Sequence, residues 1–199
     1  TTGYIVGDRG LILKTVNNGD SWREVRSPIE TWSLNQIRFI GTNIGFAVGD
    51  RGRILKTTDA GETWFNPTSD PSISVSNLYS VYFTGENNGI IVGERGTVLV
   101  TNDGGVNWDV KNPNTFSNLW DVYFTDTNTG YAVGDFGIVI KTTNGGNTWN
   151  DIYNASAETF KSIMFTNTYN GYIAGNFGLV MKTTDAGATW NRLDAQTTY

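Results

Sequence analysis

The chain has 199 residues, 38% of them apolar, with 19 acidic side chains against 14 basic ones and a formal charge of −5. It holds neither cysteine nor histidine, which removes disulfide frameworks, Ser-His and Cys-His nucleophile pairs and the common zinc sites. The acidic balance argues against a general nucleic-acid binder, and no apolar run approaches the ~18 residues that a membrane-spanning helix needs.

From the N-terminus, a first phrase begins at Gly3 and runs through Asp8-Arg9-Gly10 into Thr15-x-Asn17-x-Gly19-x-x-Trp22. The same two phrases return from Gly45, ending in Thr57-x-Asp59-x-Gly61-x-x-Trp64, and from Gly89, ending in Thr101-x-Asp103-x-Gly105-x-x-Trp108. They return from Gly130, ending in Thr142-x-Asn144-x-Gly146-x-x-Trp149, and from Gly171, ending in Thr183-x-Asp185-x-Gly187-x-x-Trp190. The spacings are 42, 44, 41 and 41 residues, and a period of about 40–45 is that of a four-stranded propeller blade. In the fourth copy the pieces are Leu119–Phe124, Gly130–Gly134, Ile138–Thr142 and residues 148–152. Each is β-branched or aromatic and is bounded by Gly, Asn, Asp and Thr clusters, which reads as strands and hairpins. The expected fold is an all-β propeller of five recognisable blades in one domain over residues 1–199, either a five-bladed ring or part of a larger propeller.

The first blade reads as incomplete. A Leu-x-x-Val-x-Phe strand opens the other four, around Ile37, Val81, Val122 and Ile163, but has no counterpart before Gly3. A strand supplied by another chain is one way to complete it, because an unpaired edge recruits partners.

The five Thr-x-Asp/Asn-x-Gly-x-x-Trp copies resemble the Asp-box (BNR) repeat of sialidases and sortilin-type receptors. With Val-Gly-Asp-x-Gly-x-Ile-x-Lys-Thr ahead of the box, the whole chain is similar to the photosystem II stability and assembly factor family of propellers. That resemblance implies a non-enzymatic scaffold that docks a protein partner, a membrane-protein complex among the candidates, without cofactor. Few charges and many Thr, Asn and Gly residues suit a secreted, periplasmic or thylakoid-lumen protein. The missing initial Met and the lack of a signal-peptide pattern read as a mature or truncated chain.

Two sets of positions are candidates for partner binding. Arg9, Arg51 and Arg95 occupy one turn position in the first three blades, and Phe136 and Phe177 occupy it in the last two. Guanidiniums there can fork onto carboxylates, sulfates or phosphates, or each can pair with its own turn acid, Asp8, Asp50 or Glu94. The second set lies at the start of the first strands. Asn35, Tyr79, Trp120 and Lys161 vary there, immediately after the uniform Leu34, Leu78, Leu119 and Phe160. Seven of the eight arginines fall within the first 95 residues, a sector able to steer an acidic partner.

The box residues are expected to be structural. Asp59, Asp103 and Asp185 cap their own turns, while Trp22, Trp64, Trp108, Trp149 and Trp190 fold over them. A calcium site needs six to eight converging oxygens, and two of the five boxes carry Asn instead of Asp, so no metal is expected. Asp121 with Glu158, or Asp70 with Glu30, are the carboxylate pairs a glycosidase reading would use. Nothing in their spacing singles them out. A secreted or phage-borne glycan-binding adhesin, or a degenerate sialidase-like propeller, is the alternative.

Overall fold

The computed structural model describes residues 1–67, 76–154 and 157–193. Asp70 lies outside that set. Five antiparallel sheets follow one another along the sequence, with the topology of propeller blades. The first has three strands, β1 (Gly3–Val6), β2 (Ile12–Thr15) and β3 (Arg23–Glu24). The second has β4 (Leu34–Ile40), β5 (Ile44–Gly49) and β6 (Arg53–Thr57), with its fourth strand reduced to a bridge between Lys56 and Phe65. The third holds β7 (Leu78–Phe83), β8 (Gly89–Gly93), β9 (Val98–Thr101) and β10 (Asp109–Lys111). The fourth holds β11 (Leu119–Phe124), β12 (Gly130–Gly134), β13 (Ile138–Thr142) and β14 (Asn150–Asn154). The fifth holds β15 (Phe160–Phe165), β16 (Gly171–Gly175), β17 (Val180–Thr183) and β18 (Asn191–Leu193). The fourth strand of the fourth blade lies two residues later than the sequence predicts. The only helical segments among the described residues are short 3₁₀ turns.

The chain forms two compact units, Thr1–Ile91 with Thr101–Asp109, and Val92–Val100 with Val110–Tyr199. In the first, Ile12, Val25, Leu34, Ala47, Leu55 and Trp64 make a core against which Val6, Ile29, Ile37 and Phe39 pack. In the second, Tyr131, Val133 and Val139 meet Phe160, Ile163, Phe165, Ile173 and Trp190.

One junction between neighbouring blades recurs. Tyr4 stacks on Phe39 at 4.0 Å, and its hydroxyl donates to the Ala60 carbonyl at 2.6 Å. In the second unit Tyr131 stacks on Phe165 at 4.5 Å and donates to the Ala186 carbonyl at 2.7 Å. Lys14 and Lys141 reach the same two carbonyls. Lys14 is buried, and its ammonium also binds Glu62 at 2.7 Å. The contact places a polar handle at the end of an aromatic stack, so the burial leaves no donor unmatched.

Each box turn closes on itself. The Thr57 hydroxyl donates to Asp59 Oδ1 at 2.8 Å and accepts the Gly61 N–H at 2.9 Å. Asp59 then accepts the N–H groups of Glu62 and Thr63 and the Thr63 hydroxyl. Asn17 and Asn144 keep the acceptor geometry, and their amides donate to Ser21 and Thr148. Trp64, Trp108, Trp149 and Trp190 are buried as expected, each edge-on to a phenylalanine from the first strand of its own blade, at 5.9–6.2 Å. Trp22 differs: it is 40% exposed. The expectation that all five tryptophans fold over buried turns fails there: among the described residues no strand beside β1 supplies the phenylalanine that covers the other four.

Candidate functional site

The turns between second and third strands are built alike. Asp8–Gly10, Asp50–Gly52, Glu94–Gly96, Asp135–Gly137 and Asn176–Gly178 are each a single 3₁₀ turn. Their middle residues, Arg9, Arg51, Arg95, Phe136 and Phe177, sit in the left-handed region at φ of 54° to 58°. The glycine that follows is also left-handed. A Cβ on Gly10 would lie 1.9 Å from the Ile29 carbonyl oxygen, and one on Gly96 2.0 Å from that of Thr115. At these two turns the glycine also allows close approach to the following linker, whereas Gly178 has open space around it; in all five the preceding non-glycine residue is left-handed as well. Such outliers cost on the order of 1 kcal/mol or more each and cluster at functional sites.

All five middle side chains project into solvent; Phe136 is 65% and Phe177 89% exposed. Backbone groups anchor the turns instead. The Arg51 N–H donates to Asn77 Oδ1 at 3.1 Å and the Arg95 N–H to Asn118 Oδ1 at 3.0 Å. The turn acids are used in the same way: Asp8 accepts Ser33 Oγ at 2.9 Å and Asp50 accepts Asn35 Nδ2 at 3.1 Å. No ion pair joins Arg9 to Asp8 or Arg51 to Asp50 among the described residues. Arg51 lies over the Trp32 ring at 4.2 Å, an aromatic partner that repeat alignment passes over because Trp32 stands in a variable linker. Beside Arg9, Glu24, Arg26, Ile29 and Glu30 line a cleft of about 290 Å³ in the first unit.

Three of the four variable first-strand positions prove to be bulges. Pairing slips between Leu34 and Gln36, between Leu119 and Asp121 and between Phe160 and Ser162. Asn35, Trp120 and Lys161 are thus the bulge residues, while Leu34, Leu119 and Phe160 before them are buried. A bulge re-aims a side chain out of the ladder. Trp120 is held by Asp135, whose Oδ1 accepts the indole N–H at 2.7 Å, and Lys161 places its ammonium 3.2 Å from the indole ring centroid. Thr159 and Asn118 fill the rest of the Asp135 carboxylate. In the second unit Trp120 and Lys161 thus form one stacked pair, pinned by the acid of the Phe136 turn. Tyr79 is half-buried at the start of β7.

The imagined glycosidase carboxylates are engaged elsewhere. Asp121 accepts Ser162 Oγ and the Ile163 N–H, and Glu158 is paired with Arg192 at 3.1 Å. Among the described residues no group of three or more His, Cys, Asp or Glu side chains converges as a metal site would require. Asp59 and Asp185 are held down to about 2, chiefly by the hydroxyls of Thr63 and Thr189, and Asp103 to about 2, chiefly by the Asn107 N–H. No helix among the described residues is long and apolar enough to cross a membrane.

Against known families, residues 1–73 and 112–198 match Photosynthesis system II assembly factor YCF48. The chain belongs to this family. Among solved structures, YCF48 from Cyanidioschyzon merolae superposes with a TM-score of 0.76 at 16% identity, over 99% of this chain and 70% of that one. A structure of YCF48 bound to D1 peptide gives a TM-score of 0.53 at 18% identity, over 96% of this chain and 76% of that one. An ancestral GH74 enzyme gives 0.77 at 21% identity, over 96% of this chain but only 29% of its own length. At such identities the likeness is one of fold, which places this YCF48-family chain among the propellers. No curated protein matches it.

Proposed function

We propose that this YCF48-family chain is a non-enzymatic docking domain that holds a protein segment on its 3₁₀-turn surface. Membership of an assembly-factor family is the observation that carries the reading, and the structure of YCF48 bound to D1 peptide supports a peptide-like ligand. Each unit offers its own chemistry. Arg9 presents a cation beside its cleft, and Arg51 one over Trp32, in the first. Arg95, Phe136 and Phe177, with the Trp120–Lys161 pair, present mixed cationic and aromatic groups in the second, and Tyr79 extends the first-strand positions. Carboxylates of the partner are bound by charge-assisted hydrogen bonds, and the aromatic groups supply the anchors. On this reading the partner is an exposed segment of a membrane-protein complex, and the domain works outside the cytoplasm, in a lumen or periplasm.

The test is capture from detergent-solubilised source membranes by the wild type and by a triple Arg9→Glu, Arg51→Glu, Arg95→Glu variant. Capture of one complex by the wild type alone is expected. Equal capture by both would remove the arginines from the site. The GH74 structures favour a second reading, a glycan ligand or glycosidase activity. It requires hydrolysis or binding of a β-glucan such as xyloglucan, with little dependence on salt. The engagement of Asp121 and Glu158 by neighbouring groups weighs against it.

A further inference from the structure

Two phenylalanines at the 3₁₀-turn end of the second unit are exposed although the backbone that carries them is fixed. Phe116, in the linker that enters β11, is 91% exposed, and Phe136, at the apex of its turn, is 65% exposed. Both belong to the fourth blade, which has one four-stranded sheet before it in sequence and another after it. Asn118 locks their two loops together. Its side-chain oxygen accepts the Arg95 N–H at 3.0 Å, its amide donates to Asp135 at 2.9 Å, and its backbone carbonyl accepts the Asp135 N–H at 3.0 Å. A Cβ on Gly96 would lie 2.0 Å from the Thr115 carbonyl oxygen, which seats the residue before Phe116 on the Arg95 turn. Arg95, Phe116 and Phe136 are thus held at one end of the unit, and the loops cannot swing the rings inward without breaking these bonds.

A ring that is 91% exposed has almost no protein beside it, so Phe116 is a projection and not the wall of a groove. Exposed apolar features of this kind mark interaction surfaces, and a projection suits a soft partner that closes around it. The charges beside the rings narrow the choice. Arg95 and Lys161 are exposed, the Lys161 ammonium rests on the Trp120 ring at 3.2 Å, and neither is ion-paired among the described residues. The neighbouring carboxylates are occupied: Asp135 by Trp120, Asn118 and Thr159, and Glu158 by Arg192. Glu94, at the start of the Arg95 turn, is half-buried and partnered. The chain as a whole carries −5, yet the charges left open around these two rings are cationic. Apolar rings flanked by open cations are the chemistry of interfacial membrane contact, in which rings enter the headgroup–acyl boundary and cations meet anionic lipid.

We propose that the 3₁₀-turn end of the second unit rests on an anionic lipid bilayer. Phe116 and Phe136 insert at the interface, and Arg95 and Lys161 lie against the headgroup phosphates. The contact is peripheral and is made by loop tips. It goes beyond the docking of a protein segment and does not depend on it, because the bilayer alone supplies the ligand.

The probes are vesicles of mixed phosphatidylcholine and phosphatidylglycerol, and vesicles of phosphatidylcholine alone, with no protein partner present. The chain has no cysteine, so Phe116→Cys, Phe136→Cys and Asn147→Cys variants each take a single polarity-sensitive fluorophore. Asn147 lies in the box turn at the other end of β13. Blue-shifted emission at 116 and 136 with the mixed vesicles, and none at 147, is the expected result. In flotation the double variant Phe116→Ser, Phe136→Ser should bind about tenfold more weakly than the wild type. The pair Arg95→Gln, Lys161→Gln should bring binding to the mixed vesicles down to the level seen with phosphatidylcholine alone. Both phenylalanines are exposed, so the serine variant keeps the fold, and its circular dichroism spectrum should match the wild type. Wild type that does not float, flotation indifferent to loss of both rings, or an equal shift at 147 would overturn the proposal. Labels at 116 and 136 that respond to a captured protein complex but not to vesicles would overturn it as well, while leaving the docking reading in place.

Discussion

At the residue scale, the chemistry of the chain lies in two kinds of turn. In the box turns Asp59, Asp103 and Asp185 titrate near 2 because local hydroxyls and N–H groups bind the ionised form. The unfolded carboxyl titrates at about 3.9, so the folded value is the lower one. Their stabilisation is complete above pH ~4 and fades as pH falls towards 2. An Asp59→Asn, Asp103→Asn, Asp185→Asn variant is therefore expected to be somewhat less stable at neutral pH. Its urea midpoint should converge with that of the wild type near pH 2; parallel profiles at all pH values would contradict the assignment. Asp59→Ala, which removes the acceptor as well as the charge, is expected to cost about 1–2 kcal/mol. In the 3₁₀ turns the strain is carried by Arg9, Arg51, Arg95, Phe136 and Phe177. Phe136→Gly relieves it at an exposed position and is expected to raise stability by about 0.5–1 kcal/mol in chemical denaturation, while weakening partner capture.

At the element scale, the aromatic stack within and between blades is the principal fastening. Phe165 touches Tyr131, Tyr123 and Trp190 at once, and Phe165→Ala is expected to cost about 3–5 kcal/mol. Trp22→Ala, at the half-open first blade, should cost far less in the same denaturation series. Residues 119–124 are legible as a strand because Leu119, Val122 and Phe124 fall among turn residues, and the observed β11 has those bounds. The bulge at Trp120 is not legible. It depends on the Asp135 carboxylate reaching back from a turn fifteen residues later. Asp-Arg-Gly reads as a turn in which glycine takes the positive φ, yet the preceding Arg takes one too, so that two successive residues of each turn are left-handed. Trp22 obeys the same local rule as Trp64 and differs only in what stands beside it, which no window of sequence around the box contains.

At the scale of the whole molecule, an acidic chain carries nearly all its arginines in its first 95 residues. If that sector captures an acidic partner, binding should weaken steeply with ionic strength, since at about 1 M salt exposed charges interact over only ~3 Å. Retention of the complex on a salt gradient checks this, and elution independent of salt would point to the aromatic groups alone. The anchoring of the 3₁₀ turns through Arg51 N–H, Arg95 N–H and the turn acids has an evolutionary consequence. Because the backbone and the flanking Asp, Glu or Asn keep the loop's shape, the central side chain can change without loss of the turn. A tandem duplication thus yields five lettered positions that selection can rewrite one at a time, and the Arg-Arg-Arg-Phe-Phe spelling of this chain is one word in that alphabet.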